Sequence, residues 1–206
     1  MGRLIDLSHK IENGMPVHCF DNKMNLYLDK TIKTHKYNNS RLEIGMHTGT
    51  HIDISSHLIR DNKTISEIDL NNFTGPGKIF DVRGKRTIKR CDFQEDIICS
   101  NDIIIFCTGH SSCYYQENYF TQYPIFETEV IDLLIEKKVK ILGIDSPSPD
   151  RFPFEEHIKL FKNGILILEN LTNLEKILNI KVFDIFVFPL KIHAEASLVR
   201  AIAKIY

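Results

Sequence analysis

The chain contains no tryptophan in 206 residues, so stacking on a ligand ring must rely on Phe, Tyr or His, which offer smaller faces than an indole. It contains no C-x-x-C pair either. The five cysteines, Cys19, Cys91, Cys99, Cys107 and Cys113, are scattered and odd in number, which excludes a simple disulfide framework and favours a reducing compartment, the cytoplasm. Neither sign of charge dominates: 26 basic and 27 acidic residues leave a net charge of -1 and no footprint for nucleic acid or an anionic membrane. No apolar run of membrane-spanning length occurs, and Met1-Gly2-Arg3-Leu4 has no signal-peptide core behind it. Repeats, linkers and low-complexity segments are missing as well. The expectation is one domain over residues 1–206, with a substantial core at 43% hydrophobic content and a small-molecule partner.

What the chain does have is concentrated in His47-Thr48-Gly49-Thr50-His51-Ile52-Asp53-Ile54-Ser55-Ser56-His57. Histidines and the aspartate occupy odd positions and β-branched or aliphatic residues the even ones, the alternation of a half-buried strand. An extended segment therefore turns imidazoles and carboxylate to one face. At roughly 3.3 Å per residue His51 and Asp53 lie about 7 Å apart along a strand and can share one ion, whereas His47 would be about 13 Å from His51. The chain must bend to bring His47 in, and Gly49 is the residue able to do so. A helix would also join His47 to His51, but Thr-Gly-Thr is a poor helical sequence, so a turn followed by a strand is expected. The donor set is imidazole and carboxylate, suited to zinc or a similar divalent ion.

This stretch resembles the H-x-G-T-H-x-D-x-P-x-H signature of the bacterial kynurenine formamidase and cyclase family, with Ser55 in the place of proline. Asp6-Leu7-Ser8-His9 is similar to that family's opening, and His157 followed by Glu169-Asn170-Leu171 is similar to its later H-x(11)-E-N-L motif. The resemblance implies a metal-dependent hydrolase of the swivelling β/β/α type, an α/β fold, as a homodimer. His47, His51, Asp53, His157 and Glu169 would bind two zinc ions per subunit, with manganese as the alternative, and His57 would be the catalytic acid/base. Water activated between the ions would cleave N-formylkynurenine to kynurenine and formate; a lactam or ester substrate, or metal binding without turnover, are the alternatives. The family's pocket loops correspond to His18, Phe20 and His110, where aromatics and a tryptophan usually stand, and these are the expected substrate contacts.

The remaining pattern predicts strands at Arg3–Leu7, 25–33, 41–46, 78–82, 103–107, 140–144, 165–168, 182–190 and 198–205, with the 25–33 and 41–46 strands flanking the metal loop from one sheet. Helices are expected over 127–138, 154–161 and 174–180, the first with an apolar stripe at Val130, Ile131, Leu133 and Leu134. His193 and Glu195 are expected in a surface loop.

Overall fold

The computed structural model describes residues 2–206. In chain order the elements are β1 (Arg3–Asp6), β2 (Asn25–Lys30), the single turn α1 (Ile32–His35), β3 (Asn39–Glu43), β4 (His51–Asp53), β5 (Thr74–Asp81), β6 (Thr87–Ile88), β7 (Ile103–Cys107) and β8 (Ile125–Phe126). They continue with α2 (Thr128–Glu136), β9 (Ile141–Ile144), α3 (Glu155–Lys162), β10 (Leu166–Glu169), β11 (Phe183–Phe186), β12 (Ala196–Leu198) and β13 (Ile202–Ile205). Nine strands form one mixed sheet in the order β1-β13-β11-β5-β7-β9-β10-β4-β12. This is a mixed α/β architecture, as expected.

The centre of the sheet, β5-β7-β9-β10, is parallel, and its strands are apolar on both sides because both faces are covered. All five residues of β7 are buried, and their alternation divides them between two cores. Ile103, Ile105 and Cys107 join the core that contains Leu174, Ile177 and Phe183. Ile104 and Phe106 face the core under α2 and α3, with Val130, Leu134 and Leu160. Each fully buried aliphatic side chain contributes about 1.5–3 kcal/mol, so this strand alone anchors both layers.

The same alternation sets the functional face. Leu166 and Leu168 of β10 and Ile52 of β4 enter the first core, so Ile167, Glu169, His51 and Asp53 turn to the side covered by the helices. Antiparallel pairing of β10 with β4 sets Glu169 opposite His51 and Ile167 opposite Asp53. Helix α3 buries His157, Leu160 and Phe161, an i, i+3, i+4 stripe, and stops at Asn163-Gly164, where Gly164 has φ +75°.

Several expectations change. Segments 25–33 and 41–46 do not flank the metal loop: β2 and β3 pair with each other in a separate two-stranded ribbon, and the turn α1 interrupts the first. Their alternation is genuine, but Leu28 and Leu42 are exposed, and Leu26 and Ile44 pack in a separate small cluster with Met15, Met24, Tyr114 and Tyr119. The neighbours of β4 are β10 and β12 instead. The closing segment 198–205 divides into β12 and β13, because β12 pairs with β4 at one edge of the sheet and β13 with β1 and β11 towards the other. The 174–180 helix shrinks to one 3-10 turn at Leu174–Lys176.

Candidate metal centre

The bend at Gly49 is present, with φ +70°. An added Cβ there would lie 2.9 Å from Met15 Cε, the movable end of a flexible side chain, so it is the left-handed backbone conformation that calls for glycine. Asn170, itself at φ +55°, braces the bend by donating from Nδ2 to the Gly49 carbonyl (3.0 Å), and its own Oδ1 accepts from the Tyr119 hydroxyl (2.6 Å). After the bend, β4 carries His51 and Asp53, and a 3-10 turn at Ser55–His57 swings His57 over the same face. The Ser55 hydroxyl donates to Asp61 (2.6 Å), pinning the turn where the family pattern has proline.

Three imidazoles and two carboxylates converge there. His47 Nδ1 is 3.0 Å from Asp53 Oδ1, and His51 Nε2 is 3.5 Å from Asp53 Oδ1 and 3.4 Å from Glu169 Oε2. His157 Nε2 is 3.2 Å from Glu169 Oε1. Two sets of potential ligands result, His47-His51-Asp53 and Asp53-His157-Glu169, with Asp53 common to both and donor atoms within 4.8 Å of one another in each.

These distances suit a cation. A tetrahedral ion bound at about 2.1 Å sets its ligand atoms about 3.4 Å apart, the spacing observed here. Each ring has its other nitrogen engaged outward: His51 Nδ1 donates to the Gly49 carbonyl (2.9 Å), His157 Nδ1 to Asp150, and His47 Nε2 to Glu195 (3.3 Å). The inward nitrogens then carry lone pairs towards carboxylates, and His51 Nε2 and Asp53 Oδ1 are buried with no hydrogen-bond partner. Buried acceptors facing one another are costly unless a proton or a metal ion lies between them.

The pKa values carry the same message. Burial opposes charge on His51 and His157, yet Asp53 and Glu169 outweigh it for the first, and Asp150 and Glu169 for the second, raising His51 well above its usual value and His157 to about 10. Burial alone would raise Asp53, but the neighbouring His51 and His47 hold it well below the carboxylate range. Without metal, protons fill the negative field that a dication would otherwise occupy.

His57 differs. It belongs to neither set, its ring lies 4.1 Å from that of His47, and burial pushes its pKa below 6.5. It lines a cleft of about 250 Å³ that opens onto Asp53, His157 and Glu169, with apolar walls from Phe120, Tyr123 and Phe154. His18 stands at this cleft, whereas Phe20 is 91% exposed and is not among the residues that line it. His110 is held away, with Nε2 against the Tyr119 carbonyl (2.8 Å) and its ring stacked on Tyr119.

Residues the sequence did not single out also reach the site. Glu195, expected on the surface, touches His47 while its side chain remains 40% exposed. Asp150 holds His157, and Asn170 braces the bend; the one available signal for Asp150 was an acid at the end of a proline-fixed loop just before a helix.

Fold and donor set together define a mixed α/β protein with a candidate divalent-metal centre. The family model described as "Putative cyclase" matches residues 5–151. Kynurenine formamidase of Bacillus mycoides is 30% identical over 172 residues, spanning 81% of this chain and 80% of the relative. The chain belongs to the cyclase family. A solved structure described as a potential metal-dependent hydrolase with cyclase activity is 25% identical, covers 100% of this chain and 99% of its own, and superposes with a TM-score of 0.80. Isatin hydrolase A of Labrenzia aggregata, 20% identical, shares the fold at a TM-score of 0.88 over 99% of this chain and 94% of its own.

Proposed function

We propose that this chain is a metal-dependent hydrolase that cleaves an amide C–N bond, acting as one catalytic domain. The observation that carries the reading is the pair of overlapping donor sets whose inward atoms are spaced as ligands of a cation, beside a cleft walled by aromatic side chains. His47, His51 and Asp53 would hold one ion and Asp53, His157 and Glu169 a second, zinc or alternatively manganese. When bound, such ions supply Lewis acidity, which lowers the pKa of water and polarises a carbonyl oxygen.

The chain's own residues do the rest. The cleft wall orients a planar acyl group, and Leu58 and Pro147 help exclude bulk water. His57, neutral because burial depresses its pKa, can accept the proton lost by attacking water and return it to the departing amine nitrogen. The oxygen of water adds to the acyl carbon, the C–N bond breaks, and an acid and an amine leave. A site that merely stored metal would need neither an unligated histidine nor an open cleft, which weighs against the non-catalytic alternative.

The leading substrate is N-formylkynurenine, by analogy with the formamidase relatives, with lactams as the rival class because isatin hydrolase shares the fold. Among the described residues none lining the cleft is Lys or Arg, so a substrate carboxylate would meet histidines and neutral polar groups there rather than a fixed cation. The reading also includes a cytoplasmic homodimer, for which the exposed Leu28 and Leu42 on one face of the β2–β3 ribbon offer an apolar contact. The test is a hydrolysis screen of metal-loaded protein with N-formylkynurenine, formanilide, isatin and an aryl ester. Turnover of either amide supports the reading, turnover of isatin alone moves the substrate to a lactam, and inertness towards all of them sinks it.

A further inference from the structure

We propose that Asp150 is a positioning residue of the centre: it selects which nitrogen His157 presents to the metal, and it ties that imidazole to the start of its own helix. The inference rests on the metal reading above. Asp150 is 6% exposed, at the end of the loop Asp145-Ser-Pro-Ser-Pro-Asp150, and its two oxygens have different tasks. Oδ2 accepts from the backbone N–H groups of Glu156 (2.8 Å) and His157 (3.1 Å), satisfying donors that a helix N-terminus otherwise leaves free. Oδ1 accepts from His157 Nδ1 at 2.5 Å.

A carboxylate cannot donate, so the contact keeps a proton on Nδ1; Nε2, which faces the Glu169 carboxylate across 3.2 Å, is then the nitrogen whose proton an ion would displace and whose lone pair it would take. The other two imidazoles of the cluster lack this arrangement. His51 leans on a backbone carbonyl, and His47 on Glu195, whose side chain is 40% exposed. Of the three partners, Asp150 joins a buried charge, a helix start and a ligand ring: the helix amides hold Oδ2 in place, and that fixes where Oδ1 meets the ring. Partners of this kind typically govern metal affinity by 10–100-fold.

The test is Asp150→Asn. Asparagine keeps the shape but has one acceptor oxygen, which can serve the backbone amides or the imidazole but not both. Metal affinity is measured by competition with a chromophoric chelator, the cobalt-substituted protein is followed by its visible spectrum, and urea unfolding of metal-free protein monitors the fold. Affinity for one ion should weaken about 10- to 100-fold with a changed cobalt spectrum. In a His157→Ala background the same substitution should have no further effect on affinity, which a purely structural role would not predict. Affinity within about threefold of wild type together with an unchanged cobalt spectrum would overturn the inference. If the variant does not fold, long-range 1H–15N correlation spectra of zinc-loaded wild type decide instead: a proton on Nδ1 of His157 upholds the assignment and a proton on Nε2 overturns it. Wild-type protein that binds no divalent ion overturns the metal reading and this inference with it.

Discussion

The two halves of the centre are built in opposite ways. One half, His47, His51 and Asp53, comes from within seven consecutive residues and has one open side: His51 and Asp53 are each 1% exposed, but His47 is 26% exposed and leans on a carboxylate that solvent reaches. The other half takes His157 from a helix and Glu169 from a strand, and both are almost fully buried, with side chains 5% and 6% exposed. Closeness in sequence therefore does not ensure that every ligand is enclosed. The half assembled from distant elements has no exposed ligand, because its helix and strand carry their own backbone hydrogen bonds into the core, as β4 does for His51 and Asp53, whereas His47 precedes a bend that Asn170 braces from outside.

Asp53 is where the halves meet, so removing it tests whether they form one unit. Asp53→Ala should lose both ions and reduce hydrolysis to background, as measured by metal analysis and turnover. Retention of one tightly bound ion would show that the halves are independent. His57 lies beside His47 without belonging to either half. His57→Ala should keep its metal and lose about 10²- to 10⁴-fold in kcat, the usual range for general acid/base catalysis. Loss of metal in that variant would make His57 a ligand instead.

A smaller effect is expected from the exposed brace. Glu195→Gln should weaken metal binding by no more than about fivefold, since exposed ionic contacts are worth roughly 0–1 kcal/mol, well below the change expected for the buried Asp150. Equal losses at the two positions would erase the contrast between the halves.

Protein stability, rather than metal binding, depends on the support under the bend. His9 stacks on Tyr114 at 3.7 Å, and its backbone N–H donates to Thr50 Oγ1 (2.9 Å). Burial lowers the His9 pKa from 6.5 to about 4. The unfolded chain thus binds a proton that the folded chain refuses, so the stability tied to neutral His9 is complete above pH 6.5 and drains away as pH falls towards 4. Discounted for partial exposure, the loss by pH 4.5 is on the order of 2 kcal/mol. His9→Phe, which keeps a ring but cannot titrate, should flatten that part of the curve of denaturant stability against pH; an unchanged slope would place the acid sensitivity elsewhere.

Much of the first half is legible in the order of its residues. The odd positions from His47 to Asp53 follow strand alternation, and the bend at Gly49 follows from the reach of an extended chain. The second half is legible through its resemblance to a family motif, since nothing local in Glu169 marks it as more than a strand end. Glu195 is inconspicuous because its neighbours read as a loop, and Asp150 because its partners are backbone amides and one ring nitrogen, none of which leaves a periodic trace. The substrate contacts are the least legible part of the site. Phe20 lies in a turn and His110 opens a short 3-10 helix, where alternation has nothing to say about direction, and Phe120, Tyr123 and Phe154 line the cleft with His18.

The sequence by itself determined which side chains share a face, because alternation along a strand and the i, i+3, i+4 stripe of a helix follow from backbone geometry that each residue carries with it. It determined the donor chemistry too. Only the tertiary structure decided that Glu169 stands opposite His51, that α3 lowers His157 onto that face, and that Asp150 and Glu195 back the rings from outside. Strand register and helix docking are settled by burial and hydrogen bonding summed over the whole sheet, and no short stretch of the chain contains that sum.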